Sequence, residues 1–294
     1  MIIMKRVVSI FICLVLLTTL ALTTPVLSAE AMEVPEATGT SETPKASKAP
    51  EAPKAPKTTE APQPVKVALI DSGISPIVIA ATHIGEGKNY VLSDRDTADV
   101  LGHGTALAGL ILDAAPDAVL VPLVYSTRIA GGKVIQSSVK TVAMIIRDAV
   151  DVYDCQVINI SAGISRDVPE LREAIAYAEE QGVVVVASVG NTNRTTPELR
   201  YYPACYDTVI GVGALRKDGK VASFSQRHGV SLAAPGDGLK VTGLKGQTTT
   251  VSGTSYATAH VTGAVAALLA KSPDLTPAQV RELLFDSAQD LGDG

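Results

Sequence analysis

The amino-acid sequence predicts an α/β fold with three layers, in which helices flank a mostly parallel central sheet. Apolar runs that are almost uninterrupted recur along the chain, which is typical of strands buried on both faces of a parallel sheet. Segments with helical periodicity separate these runs, and this alternation favours a sheet covered by helices. The predicted strands are residues 65–70, 119–125, 157–161, 183–188 and 208–212.

The helices are predicted from apolar spacing and from signals at their ends. Gly182 follows one periodic segment, and glycine commonly ends helices. The residues from Thr276 to Gln279 have the pattern of a capping box, with proline at the first helical position. The predicted helices are residues 105–112, 137–150, 169–181, 256–270 and 277–287.

The N-terminal part of the chain is predicted to be an export signal followed by a linker. Lys5 and Arg6 precede an apolar run, and an A-x-A cleavage pattern covers 29–31, so we interpret residues 1–29 as a signal peptide. The alternative is a retained membrane anchor, but the run is short beside the roughly 20 apolar residues of a spanning helix. Residues 30–64 are rich in Pro, Ala, Lys and Glu, which predicts a disordered linker. The globular domain should cover 65–294. We expect a secreted protein, with association to the cell envelope as the alternative.

Composition argues against a nucleic-acid partner. The net charge is −5, there is no Trp and aromatic residues are 4% of the chain, so phosphate-binding tracks and base-stacking platforms are poorly supplied. Cys155 and Cys205 remain once the leader is removed. In an exported protein they could form a disulfide, or they could be two separate buried thiols, and the sequence leaves both open.

Three short glycine-containing motifs suggest nucleophilic catalysis. Asp71 lies in V-A-L-I-D-S-G, His103 in G-H-G-T and Ser255 in G-T-S-Y-A-T-A-H. A serine hydroxyl needs a base to take its proton, and the base needs a carboxylate to fix its tautomer. Each motif alone also fits an ordinary turn or helix cap, so only their combination is informative.

Together these segments resemble the subtilisin-like serine peptidases, the subtilases of peptidase family S8. The Asp–His–Ser order is also that of the family. The likeness covers nearly all of residues 65–294. Further matching segments are V-I-N-I-S at 157–161, G-V-V-V-V-A-S-V-G-N at 182–191, Y-P-A at 202–204, residues 209–214, A-S-F-S at 222–225 and A-A-P-G at 233–236.

The resemblance implies a role for each matching site residue. Asp71 would orient His103, His103 would act as general base and then acid, and Ser255 would attack the peptide carbonyl. Asn191 would donate its side-chain N–H to the oxyanion. Ser161, Ala162 and Gly163 would pair with the substrate backbone and line the pocket for the residue before the cleaved bond.

The predicted function is therefore that of an exported serine endopeptidase. The alternative is a catalytically weak or inactive pseudopeptidase that binds peptides or partner proteases. We expect peptide or protein substrates, a monomer, and membrane contact only through an uncleaved signal. No cofactor is needed for the chemistry; many subtilases bind structural calcium, but the sequence maps no ligand set. Asp94, Asp96 and Asp99 lack the glycine and distal glutamate of an EF-hand, which favours a solvated acidic turn.

The sequence departs from the family pattern in several places. Residues 106–109 read A-L-A-G where H-V-A-G is usual, and Ala259 stands where the family has a proline before the final histidine. We interpret that final histidine, His260, as structural. Exported relatives usually carry a folded pro-domain, and the segment 30–64 is too short and too rich in proline to be one. Family members also generally continue with a glycine-rich strand and a last helix beyond the point where this sequence stops.

Overall fold

The computed structural model describes residues 63–291 together with a two-residue strand at Val8–Ser9. The remaining residues of the predicted signal peptide, nearly all of the predicted linker and residues 292–294 lie outside the described residues. The division into signal peptide, linker and peptidase domain therefore stays a prediction.

Thirteen strands and five α-helices make up the described part of the chain. The strands are β1 Val8–Ser9, β2 Lys66–Asp71, β3 Lys88–Asn89, β4 Val119–Val124, β5 Ser126–Arg128, β6 Val134–Gln136, β7 Val157–Ile160, β8 Val184–Ser188, β9 Ile210–Leu215, β10 Leu232–Pro235, β11 Leu239–Thr242, β12 Thr248–Val251 and β13 Gln289–Asp290. The helices are α1 His103–Ala114, α2 Val139–Asp151, α3 Pro169–Glu180, α4 Thr254–Lys271 and α5 Pro277–Ser287.

The main sheet has the order β13-β1-β10-β9-β8-β7-β2-β4-β3. Its neighbouring strands pair in parallel, except for β13, which is antiparallel to β1. From β2 the chain first adds strands on one side and then crosses to β7 on the other side. This reversal between β2 and β7 is a topological switch point, where ligand sites of open α/β sheets gather at the carboxyl ends of the strands.

Alternate residues of β2 enter two separate apolar cores, one on each face of the sheet. Val67 and Leu69 belong to the core that contains α1 and α4, whereas Ala68 and Ile70 belong to the core that contains α2 and α3. This follows from the two-residue period of a strand, and it requires apolar residues at all four of these consecutive positions. The predicted three-layer α/β fold is therefore confirmed.

Most element boundaries agree with the sequence prediction to within a few residues. Thr276 and Gln279 form the predicted capping box at the start of α5. The sequence prediction missed β10 and two small hairpins, β5–β6 and β11–β12. The hairpin strands have only three or four residues each, and those of β6, β11 and β12 are mostly exposed or half-buried. They therefore lack the long apolar run that marks a buried strand.

Candidate active site

Asp71 and His103 are in direct contact at the switch point. Asp71 is the last residue of β2 and is 2% exposed, and His103 is the first residue of α1. The Nδ1 atom of His103 lies 2.8 Å from Oδ1 of Asp71, and the N–H of Ser72 donates to the same oxygen at 2.8 Å. A carboxylate at this distance favours the Nδ1–H tautomer, which leaves the lone pair of Nε2 available as a base.

Two glycines allow the start of α1 to approach Asp71. Gly102 adopts φ 89°, a left-handed conformation that favours glycine. A Cβ atom at Gly104 would lie 2.2 Å from the carbonyl oxygen of Gly73, so any larger residue would push α1 away from the loop after β2. The G-H-G sequence thus explains why the histidine can reach the carboxylate.

The electrostatic surroundings of His103 favour its protonated form. Burial, the largest influence, lowers the pKa of the imidazole, but the charge of Asp71, the hydrogen bond to Asp71 and the charge of Asp99 together raise it above its ordinary value of 6.5. A raised pKa makes the neutral imidazole a stronger base.

Ser255 lies in the first turn of α4 and is tied to the end of β7. Its hydroxyl donates to the carbonyl oxygen of Ser161 at 3.3 Å, and the hydroxyl of Ser161 donates to the carbonyl oxygen of Ser255 at 3.3 Å. The next residue, Tyr256, has its ring centroid 5.6 Å from that of His103. The start of α4 therefore lies against the histidine, and its free N–H groups and positive dipole end face the same region.

Asn191 is held beside the first turn of α4 by its own side chain. Its Oδ1 accepts a hydrogen bond from the N–H of Thr254 at 2.8 Å. This bond fixes the orientation of the amide, and a Cβ atom at Gly253 would lie 3.5 Å from its Nδ2. The Nδ2 donor is thus next to the residues that precede the serine, and Asn191 is exposed to an approaching ligand.

Ser161, Ala162 and Gly163 continue from the end of β7 at the same edge of the sheet. Ser161 is buried, Ala162 is half-buried and Gly163 is exposed. Beyond them, Ile164 and Tyr202 exchange backbone hydrogen bonds of 3.0 and 2.9 Å. The segment therefore leads from the buried serine contact to the protein surface.

Asp99 differs from the prediction of a solvated acidic turn. Asp94 and Asp96 are exposed, but Asp99 is 7% exposed and accepts five hydrogen bonds. Hydrogen bonds of this number offset the cost of burying a carboxylate. The position of Asp99 is a signal that the sequence prediction did not use. An aspartate just before a helix commonly accepts hydrogen bonds from the free N–H groups of the first turn.

The structure also shows the surroundings of two other residues discussed from the sequence, His260 and Cys155. The Nδ1 atom of His260 lies 3.1 Å from the carbonyl oxygens of both Pro235 and Tyr256, and burial lowers the pKa of its imidazole. Cys155 is a free, buried thiol in the structure and not half of a disulfide, and burial raises its pKa to about 12.

The described residues contain neither a cluster of metal ligands nor a helix that could span a membrane. Within 63–291, no group of three or more His, Cys, Asp or Glu residues is placed to hold a metal ion. None of the helices in that part of the chain is both long enough and apolar enough to cross a bilayer.

The chain is similar to known subtilisins and related proteases over most of its length. Subtilisin DY of Bacillus licheniformis is 33% identical over 243 residues, which are 78% of this chain and 85% of that protein. The minor extracellular protease Epr of Bacillus subtilis strain 168 is 34% identical over 238 residues, which are 78% of this chain and 35% of that protein. The crystal structure of a cold-adapted subtilisin-like serine proteinase matches with a TM-score of 0.67 and 28% identity, over 78% of this chain and 84% of that chain. The model of the subtilase family, Peptidase_S8, matches residues 63–294. The chain therefore belongs to the subtilase family and is a subtilisin-like serine-type endopeptidase.

Proposed function

We propose that this endopeptidase cleaves peptide bonds with Asp71, His103 and Ser255 as its catalytic triad. The observation that carries the proposal is the 2.8 Å contact between Asp71 and His103 at the switch point of the sheet. The ring contact between Tyr256 and His103 adds support, because it sets the helix of the nucleophile beside the base.

The reaction proceeds through an acyl-enzyme. Oγ of Ser255 attacks the carbonyl carbon of the scissile bond while Nε2 of His103 takes the hydroxyl proton, and Asp71 stabilises the imidazolium. When the tetrahedral intermediate collapses, the C–N bond breaks and His103 gives the proton to the leaving amine. Water then attacks the ester, His103 takes one of its protons, and that proton returns to Ser255 as the carboxylic product leaves.

The nucleophile changes its hydrogen-bond partner on entering this cycle. The hydroxyl of Ser255 donates to the carbonyl oxygen of Ser161 over 3.3 Å, which is long compared with the usual range of about 2.5–3.0 Å for O–H···O bonds. Such a weak bond is readily exchanged for one to Nε2 of His103. Catalytic hydrogen bonds that tighten only when substrate binds are common in enzymes.

Two further parts of the site act on the substrate. Nδ2 of Asn191 and the backbone N–H of Ser255 donate to the oxyanion as charge develops on the carbonyl oxygen. An extended peptide lies as an added strand along Ser161, Ala162 and Gly163. Every step uses groups of the protein and water, so the proposal requires no cofactor.

We also propose that the protein is exported, is released by cleavage near residue 29 and acts on peptides as a monomer. Support comes from the charged and apolar sequence at the N-terminus and from the extracellular relative Epr. N-terminal sequencing of protein recovered from culture medium should then begin close to residue 30. Recovery only from the membrane fraction, with the leader intact, would support the retained anchor.

A fluorophosphonate probe tests the proposed chemistry, because it labels a serine only when a base activates that serine. Wild-type protein should be labelled and should hydrolyse peptides, whereas Ser255→Ala should do neither. The control is Ser252→Ala, which removes a hydroxyl that lies three residues earlier and donates to Asp237. Folded wild-type protein that resists labelling would contradict the proposal and favour a peptide-binding pseudopeptidase.

A further inference from the structure

Asp99 is the buried carboxylate that lies closest in sequence to His103 and has no part in the proposed triad. We propose that Asp99 is a positioning residue, which acts through Ser72 to hold Asp71 and His103 in register and supplies a second negative charge to the histidine. This proposal rests on the proposed function of His103 as the base.

The hydrogen bonds of Asp99 hold the first turn of α1. Its Oδ1 accepts from the backbone N–H groups of Leu101 and Gly102, both at 2.8 Å. Its Oδ2 accepts from the N–H of Thr105 at 2.9 Å and from the hydroxyl of Thr105 at 2.7 Å. Because these donors flank His103 on both sides, the carboxylate fixes the backbone from which the imidazole projects.

Ser72 extends this control to Asp71. The hydroxyl of Ser72 donates to Oδ1 of Asp99 at 2.9 Å and accepts from the N–H of Gly104 at 3.0 Å. The backbone N–H of the same serine donates to the carboxylate of Asp71 at 2.8 Å. A single residue thus contacts Asp71, Asp99 and the residue after the histidine.

A third connection closes the cluster. The N–H of Ser75 donates to the hydroxyl of Thr105 at 3.0 Å, and that hydroxyl donates to Asp99. Ser72, Ser75, Asp99 and Thr105 are all buried. The loop after β2 and the start of α1 are therefore joined by a buried polar network whose only carboxylate, apart from Asp71, is Asp99.

Asp99 influences His103 through its charge as well as through the hydrogen bonds that position the histidine. All five hydrogen bonds come from neutral donors, so no cation among these partners compensates the charge of the carboxylate. Asp71 contacts the imidazole from β2, Asp99 acts on it by charge from the loop before α1, and the neutral phenol of Tyr256 lies beside it from α4. Removing the charge of Asp99 should therefore lower the pKa of His103.

The electrostatic part is tested without any need for activity. Titration of the His103 ring by NMR, in the Ser255→Ala background, compares Asp99 with Asp99→Asn. The pKa of His103 should fall in the Asp99→Asn variant and should not move in the control Asp94→Asn, whose side chain is exposed on the same loop. An equal pKa of His103 in folded Asp99→Asn and its parent would overturn the proposal.

The positioning part is tested with Ser72→Ala in the active enzyme. This variant keeps the charge of Asp99 but removes the hydroxyl that links it to the loop of Asp71. We expect kcat to fall about tenfold or more with little change in KM, since small misplacements of catalytic groups are costly. The acid limb of the pH profile should stay in place, because no charge has changed.

The outcomes separate this proposal from the proposed function. Wild-type protein that resists the fluorophosphonate probe would remove the proposed function, while the NMR titration would still report on Asp99 and His103. An unchanged kcat in folded Ser72→Ala overturns the positioning role. If Asp99→Asn does not fold, Ser72→Ala decides the proposal by itself, with circular dichroism to confirm that it is folded.

Discussion

Asn191 depends on one hydrogen bond for its orientation. Its Oδ1 accepts from the N–H of Thr254, which leaves both N–H bonds of Nδ2 available to a ligand. The amide is therefore pre-oriented before a substrate binds. A donor held in this way contributes most when the carbonyl oxygen becomes an oxyanion, since it needs no reorganisation at that moment.

Replacement of this amide should affect turnover more than binding. We expect Asn191→Ala to lower kcat by about 10²–10³-fold with little change in KM, a magnitude that comes from subtilisin itself. Steady-state kinetics on a peptide substrate measures both parameters. The matched control is Asn193→Ala, in the same loop, whose side chain donates to the carbonyl oxygen of Ser223. A kcat equal to that of the wild type would remove Asn191 from the mechanism.

In the proposed mechanism, the protonation of His103 sets the pH dependence of activity. Only the neutral imidazole can take a proton, so kcat/KM should fall as the pH drops through the pKa of His103. Because burial is outweighed by Asp71 and Asp99, that pKa lies above the ordinary 6.5, and the acid limb should lie there too. Replacing Asp71 by Asn should lower both the pKa and kcat. An acid limb below 6.5 in the wild type would contradict this assignment.

At the scale of elements, α1 and α4 carry His103 and Ser255, the proposed base and nucleophile, in their first turns. Both helices begin at the carboxyl edge of the sheet and pack on the same face, in one apolar core. Gly263 of α4 permits their close approach, because a Cβ atom there would lie 2.8 Å from both the Cβ of Ala114 and the carbonyl oxygen of Ile111. The spacing between the two helices thus depends on one missing side chain.

A pair of glycine substitutions tests this packing. Gly263→Ala should force α1 and α4 apart, lower the free energy of unfolding by about 1–3 kcal/mol and reduce kcat. Gly109→Ala in α1 is the control, since a Cβ atom there would meet nothing within 4 Å and alanine is the better helix former by about 0.5–1 kcal/mol. Chemical denaturation of both variants measures the difference. Equal effects of the two substitutions would show that the contact is unimportant.

At the scale of the whole molecule, Arg281 joins elements from the two helical layers. Its guanidinium donates to both carboxylate oxygens of Glu179 in α3, at 2.9 and 2.7 Å, and to the carbonyl oxygen of Thr208 at 2.8 Å. The apolar side of α5 belongs to the core of α1 and α4, whereas α3 lies in the other core. The arginine therefore connects the two helical layers.

Removing this connection should destabilise the protein without changing its chemistry. Arg281→Met should lower the free energy of unfolding by about 2 kcal/mol. This is a small effect for a buried ion pair, because the side chains of Arg281 and Glu179 remain 17% and 22% exposed. Lys140→Met is the control, because Lys140 and its partner Glu170 are exposed and such pairs contribute little. Thermal unfolding and kcat are measured for both variants. A loss of kcat in folded Arg281→Met would contradict this separation.

Much of the fold was predictable because its strongest signals are local. Strands buried on both faces are mostly apolar, so β2, β4, β7 and β8 are visible as nearly uninterrupted apolar runs in the sequence. The capping box of α5 is complete within four residues. The hairpin strand β12 was missed because it is polar and exposed, so its composition carries no sign of a buried strand.

The sequence by itself determined the fold class and the family resemblance. It also supplied Asp71, His103 and Ser255 as the proposed triad, since each lies in a short motif whose residues are contiguous. Only the tertiary structure decided that Asp99 is buried rather than solvated. Its hydrogen-bond partners include Ser72, which lies 27 positions away in the chain. The structure also showed that the hydroxyl of Ser255 contacts the carbonyl of Ser161, 94 positions away. Burial and hydrogen bonding between distant segments arise when the sheet brings strand ends together, and no local pattern encodes them.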